Sequence, residues 1–191
     1  MRSSLPPRWL IAISCAAALV ACSEVDRTRW KARFGDGDAQ VALAAAYAQG
    51  TGVEKNAEEA ERWYRKAAEQ KRADAAGALA RLYVSGEIAS DPEQALHWFE
   101  LEAESGGPDL QRALANRLYA GDGVAANPDR AFEWLQRAAD AGSLRAQVEL
   151  GNAHLNGRGT LRDFGKASEW YLRAAEAGNA EAQNNLGTLY M

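Results

Sequence analysis

The sequence is poor in residues for covalent or metal chemistry. Its 191 residues hold two cysteines, Cys15 and Cys22, and two histidines, His97 and His154. Both cysteines lie near the start, so the rest of the chain has no disulfide staple and no thiol nucleophile. Two histidines alone do not build a metal site. Neither a Gly-x-Ser-x-Gly elbow nor a His-Glu-x-x-His pair occurs. Lys and Arg number 22 against 26 Asp and Glu and form no run, a mildly acidic balance that makes nucleic acid, or an anionic membrane surface, a poor candidate partner.

The opening segment reads as an export signal. Arg2 and Arg8 form a short basic region, and Trp9 to Ala21 is an apolar run too short to span a bilayer comfortably. Leu19-Val20-Ala21-Cys22 at its end resembles a bacterial lipobox, which implies cleavage before Cys22 and lipidation of its thiol. Several acyl chains anchor stably, since two lipid signals already suffice. Cleavage removes two basic residues and no acidic one, so the mature charge is 20 − 26 = −6. Ser23 after the cysteine implies, by the same resemblance, sorting to the outer membrane rather than retention at the inner one. The expected layout is signal 1–21, tether 22–26, an N-terminal capping half-repeat 27–37 and a repeat domain 38–191.

One phrase then recurs. Asp163 to Gly178, DFGKASEWYLRAAEAG, places Ala167, Trp170, Tyr171, Ala174 and Ala175 on one helical face behind a capping Asp163. Its tryptophan has counterparts at Trp63, Trp98 and Trp134, with steps of 35, 36 and 36 residues. A second helix in each unit, helix A, carries Leu43, Leu79, Leu114, Leu150 and Leu186. Four residues after each stands Tyr47, Tyr83, Leu118, His154 or Tyr190, and Gly50, Gly86, Gly121 and Gly157 stop the first four. Asn56, Asp91, Asn127 and Asp163 occupy the cap of the Trp-bearing helix B. Asn56 with Glu59 and Asp91 with Gln94 look like capping boxes, and Pro92 and Pro128 sit at the first helical position. The units run about 38–72, 73–107, 108–143 and 144–179, with a partial fifth at 180–191.

Leu150-Gly151, Gly157-x-Gly159, Lys166-Ala167, Trp170-Tyr171, Ala174-Ala175 and Gly178 resemble the Sel-1-like repeat family, relatives of tetratricopeptide repeats. The resemblance implies an all-α, right-handed α-solenoid of about four and a half helix-turn-helix units, and a role as an interaction scaffold. Repeat two departs from the pattern. It has Ile88 for the second loop glycine, a connection one residue shorter, and Leu101-Glu102 where Lys66-Ala67, Arg137-Ala138 and Arg173-Ala174 stand elsewhere, so its helix B is expected to be rotated or interrupted. Lys71 replaces a terminating glycine. The family's disulfide-stapled branch, with its proposed enzyme-like activities, has no counterpart here.

The Gly-x-Gly triplets at 50–52, 121–123 and 157–159 keep the repeat register and read as helix-ending turns rather than phosphate cradles. His154 fills a core or groove-edge slot and His97 a solvated one. Asp36 and Asp38 lack the further ligands of a calcium loop and read as caps. No cofactor or metal is expected. A stripe on helix A remains: Val41, Ala45, Ala48; Gly77, Arg81, Val84; Arg112, Asn116, Tyr119; and Val148, Asn152, Leu155. At about 100° per residue it points away from the buried face. In the resembling family helix A lines the concave side, so either the stripe forms a groove floor or superhelical crowding buries part of it.

Arg81, Arg112, Asn116, Tyr119 and Asn152 are the candidates for contact with an unknown protein or peptide partner, since Tyr and Arg are favoured at recognition sites. The leading reading is a non-enzymatic scaffold, lipid-anchored in the bacterial envelope and facing the periplasm from the outer membrane. The alternatives are an enzyme or accessory subunit acting on cell-wall or exopolysaccharide material, which needs converging carboxylates, and an envelope regulatory or stress-sensing protein. The apolar end at Leu189-Tyr190-Met191 has no helix B over it and suggests a truncated product, or docking on a partner or a second copy.

Overall fold

The computed structural model describes residues 24–190. The signal segment, Cys22 and Met191 lie outside the described residues. Those described contain helices and no strand. They are α1 (24–33), α2 (Gly37–Gln49), α3 (Ala57–Glu69), α4 (Ala73–Ser85), α5 (Pro92–Gly106), α6 (Pro108–Ala120), α7 (Pro128–Asp140), α8 (Leu144–Asn156), α9 (Phe164–Glu176) and α10 (Ala180–Leu189). The chain forms two compact units, one ending at Gln70 and holding α1–α3, the other beginning at Lys71 and holding α4–α10. Even-numbered helices from α2 on are the A helices, and odd-numbered ones from α3 on are the B helices.

α1 is already helical at Glu24, three residues before the expected start of the first helix at Arg27. The Thr28 hydroxyl donates to the Glu24 carbonyl, and Arg29 pairs with Asp26 at 3.0 Å, so residues 24–26 are tied into the first turns.

Each hairpin is sealed by small residues. Ala60 and Ala67 in α3, Ala75 and Ala80 in α4, Ala131 and Ala138 in α7, and Ala167 and Ala174 in α9 are fully buried. A methyl group is the largest side chain that lets two helix backbones come this close, and the indoles fill the wider gaps beside the seam. Trp63, Trp98, Trp134 and Trp170 are all buried. Three of them carry a cation on the outer ring face: Lys66 Nζ at 4.6 Å from Trp63, and the guanidinium groups of Arg137 at 4.6 Å from Trp134 and Arg173 at 4.5 Å from Trp170. The basic residue before the buried alanine thus covers the indole of the preceding turn.

The caps form as the sequence implies. Asn56, Asp91, Asn127 and Asp163 accept main-chain N–H bonds from the first turn of α3, α5, α7 and α9, and Asp36 caps α2 in the same way. The capping box at Asn56 does not close. The Asn56 N–H instead donates to the Tyr47 carbonyl at 2.9 Å, while the Glu59 carboxylate is taken by the Trp63 indole N–H and by Arg62. Asn127 N–H to the Leu118 carbonyl and Asp163 N–H to the His154 carbonyl, both 2.9 Å, repeat that link. At Asn56, Asn127 and Asp163 the cap residue therefore starts helix B with its side chain and latches it to helix A with its backbone.

Repeat two corrects an expectation. α5 is neither interrupted nor broken, and at 15 residues it is two longer than α3, α7 and α9, ending at Gly106 with Gly107 as its cap before Pro108 opens α6. Glu102 keeps the slot held elsewhere by alanine because α4 offers Gly77 opposite. A Cβ at position 77 would lie 1.9 Å from Glu102 Oε1. Burial raises the Glu102 carboxyl above the usual range, and Arg81, 3.7 Å away, opposes that rise. Lys71 takes the left-handed conformation itself, φ 63°, which costs a residue with a Cβ roughly 1–2 kcal/mol.

Glycine in a helix interior costs about 1 kcal/mol relative to alanine. In Gly77→Ala that gain should be cancelled by displacement of the Glu102 carboxylate, whereas in Gly77→Ala with Glu102→Ala it should be realised. A urea double-mutant cycle should read a favourable coupling of about 1 kcal/mol, and strict additivity would refute the compensation.

Candidate partner-binding face of α4, α6 and α8

The stripe on the A helices is only partly open. Val148 is 2% exposed and Gly77 is buried against Glu102, so at these two positions the stripe is core. Val148 packs with Ala167, Tyr171 and Ala174 of α9. Helix B of the same hairpin claims them.

The other candidates form a paired network. Arg112 and Asn116 sit one turn apart on α6 and converge on one carboxylate of α8. Arg112 Nη1 donates to Glu149 Oε1 at 2.9 Å, and Asn116 Nδ2 donates to Glu149 Oε2 at 3.2 Å. Tyr119, one turn further, donates its hydroxyl to the Arg158 carbonyl at 3.1 Å. The Arg158 guanidinium lies 4.0 Å from the Tyr119 ring centre and donates back to the Tyr119 carbonyl. Burial pushes the Tyr119 hydroxyl up to about 12, so it is a neutral donor throughout the physiological range. Asn152 accepts the Tyr171 hydroxyl at 2.6 Å.

Asn116, Tyr119 and Asn152, with Glu149, Asn156 and Arg158, line a depression of about 190 Å³. Asn152 also borders a second, of about 380 Å³, lined by Leu155, Phe164, Tyr171, Asn185 and Leu189 among others. Arg112 joins the first through Glu149, and its Nε is buried without a hydrogen-bond partner. Arg81 does not join the group, because its charge is directed to Glu102.

Glu149 and Arg158 were not among the sequence candidates. Glu149 precedes the repeat leucine where Ala42, Ala78 and Ala113 stand in other units, and an acid replacing three alanines was its signal. Arg158 lies inside a Gly-x-Gly triplet. That triplet is a turn, as expected, with Gly157 and Gly159 at φ 69° and 71°. A Cβ at 159 would lie 2.1 Å from the Pro128 carbonyl oxygen, which fixes glycine there.

The Sel1 repeat profile matches residues 37–71, 73–107, 108–143, 144–179 and 180–191. This chain belongs to the Sel1 repeat family. Two solved structures are similar to this Sel1 repeat protein across most of its length. A Sel1 repeat protein from Oxalobacter formigenes is 33% identical, with a TM-score of 0.59, over 89% of this chain and 70% of that one. A protective antigen of uropathogenic Escherichia coli strains, displaying an SLR fold, is 35% identical with a TM-score of 0.63, over 87% of this chain and 36% of that one. The Sel1 protein therefore spans little more than a third of the E. coli antigen. Among curated proteins nothing matches. Sel1 repeat proteins are all-α solenoids that typically act as non-catalytic interaction scaffolds, and among the described residues no group of three or more His, Cys, Asp or Glu side chains is placed to hold a metal ion.

His154 sits in the core slot of α8, 3% exposed, with the Phe132 ring edge-on at 5.2 Å and its Nδ1 unbonded. Burial lowers its pKa; Lys166 lowers it further, and Asp163 and Glu169 oppose. The native state thus binds this proton less readily than the unfolded chain. The contribution is complete above the ordinary imidazole value of about 6.5 and is lost as pH falls from there through the depressed native value. His154→Leu, which installs the side chain that Leu118 supplies in the same slot of α6, should flatten the loss of melting temperature between pH 7 and pH 5. An unchanged pH profile would show that this imidazole does not set acid stability.

Proposed function

We propose that this Sel1 repeat protein is a non-enzymatic scaffold that binds a protein or peptide through α4, α6 and α8, held by lipid on Cys22 in the bacterial envelope. The observation that carries the groove is the convergence of Arg112 and Asn116 on Glu149 beside the Tyr119–Arg158 stack. These pairs hold their side chains in one geometry before a partner arrives, which lowers the ordering cost of binding. Asn116, Asn152 and Asn156 each offer donors and an acceptor, the complement of a peptide group. Arg112, Asn116, Tyr119 and Asn152 form the contact set around the depression, and Arg81 a flanking contact that would exchange Glu102 for a partner's acid.

The envelope setting rests on the lipobox pattern and on Ser23, which favours the outer membrane. It is supported by the 35%-identical E. coli relative being a protective antigen. Changing Arg112, Asn116 and Tyr119 together to alanine should abolish capture of the envelope partner while leaving the melting temperature within a few degrees. Retained capture would remove the groove from this reading.

The end of α10 adds a second contact. Leu186 and Leu189 are only partly covered and Tyr190 is exposed, held by its hydroxyl to Ser168 at 2.7 Å. A second copy docked there would give a dimer in sedimentation of the purified mature protein, split by Leu189→Asp. A concentration-independent monomer would exclude self-association through this helix.

A further inference from the structure

α1 has two faces in different surroundings. Val25, Thr28, Arg29 and Ala32 recur at i, i+3, i+4 and i+7, and this face packs inward. Ala32 is 1% exposed and its carbonyl accepts from Gln40 of α2, while Arg29 donates to Asp26 and to the Tyr47 hydroxyl. Arg27, Trp30, Lys31 and Phe34 recur at the same spacing on the opposite side, and all four are exposed. Trp30 is 63% and Phe34 75% exposed, their ring centres 4.7 Å apart. The four repeat tryptophans are at most 9% exposed, so Trp30 is not doing their work.

Two aromatic rings in contact, tilted 47° to each other and flanked by two cations with no acid among the four, is the composition that settles at a lipid headgroup boundary. There indoles lie among the headgroups and Arg and Lys reach the phosphates. The mature net charge of −6 hides this stripe, whose neighbouring acids are Asp26, paired with Arg29, and Glu24, exposed at its N-terminal edge one turn before Arg27. Position adds the decisive constraint. The helix has begun by Glu24, two residues after Cys22, and two residues reach only about 7 Å. A lipid on Cys22 would therefore hold α1 at the bilayer surface and nowhere else.

We infer that the outer face of α1 lies on the lipid bilayer, with Trp30 and Phe34 in the headgroup region and Arg27 and Lys31 against lipid phosphates. The inference rests on the lipid anchor proposed above and adds to it a fixed orientation of the first hairpin at the membrane.

The test uses the mature lipoprotein purified from membranes and reconstituted into phosphatidylethanolamine–phosphatidylglycerol vesicles with brominated acyl chains. Mass spectrometry first reads the acyl chains. Of the six tryptophans, Trp9 leaves with the signal, so Trp30 is one of five. Bromolipid should quench about one fifth of the emission, its share, because the other indoles are buried. Trp30→Phe should remove that quenching, and Arg27→Glu with Lys31→Glu, both on exposed positions, should reduce it at least twofold with unchanged melting. An acylated protein whose emission bromolipid does not touch overturns the inference and leaves the anchor standing. An unacylated Cys22 overturns both. Protection of Trp30 from acrylamide without bromolipid quenching, in a species of dimer mass, would assign the face to a second copy and likewise overturn it.

Discussion

Everything in this fold depends on how near an A helix and a B helix can come to one another. The seams are lined by alanines with no exposed surface, and the four repeat indoles are buried on the same helices. A larger side chain at a seam position must be matched by a smaller one opposite. Glu102 facing Gly77 is such a trade, and Tyr171 facing Gly151 is another, since a Cβ at 151 would lie 2.5 Å from the Tyr171 ring. Repeat two survives its irregular composition because volume is conserved across the seam rather than residue by residue.

That economy separates stability from recognition. Alanines, leucines and indoles occupy the seams, and the side chains left between hairpins on the A helices pack little and pair among themselves instead. Glu149 neutralises Arg112 and orients Asn116, and Arg158 covers Tyr119 as Arg137 and Arg173 cover their indoles. The same cation-over-ring contact thus serves the core in one place and a candidate binding surface in another. Such pairs contribute modest energy where they are wet, and their value lies in fixing geometry.

The period, the caps and the buried slots were legible in the sequence because each follows from contacts within one unit. What a helix A side chain off the regular slots meets on another helix was not legible. Val148 and Gly77 looked outward by helical angle, yet a neighbouring helix buries them, and no single-helix projection contains that neighbour. Glu149 and Arg158 escaped for the same reason, since their partners lie 33 to 39 residues away in the chain. The half-closed capping box at Asn56 failed more locally. The sequence carries the acid in the right register, but the indole of Trp63 competes for it and the cap amide has a better acceptor in Tyr47.

The latch made by the cap amides has an evolutionary corollary. It runs from main chain to main chain, so drift in side chains around it leaves the joint intact. The imino acid alone is barred from those positions, for want of a hydrogen to give. The loops inside these hairpins, between helix A and helix B, are therefore free to diversify in sequence, and a lineage can remodel one edge of such an array without reopening its foundations.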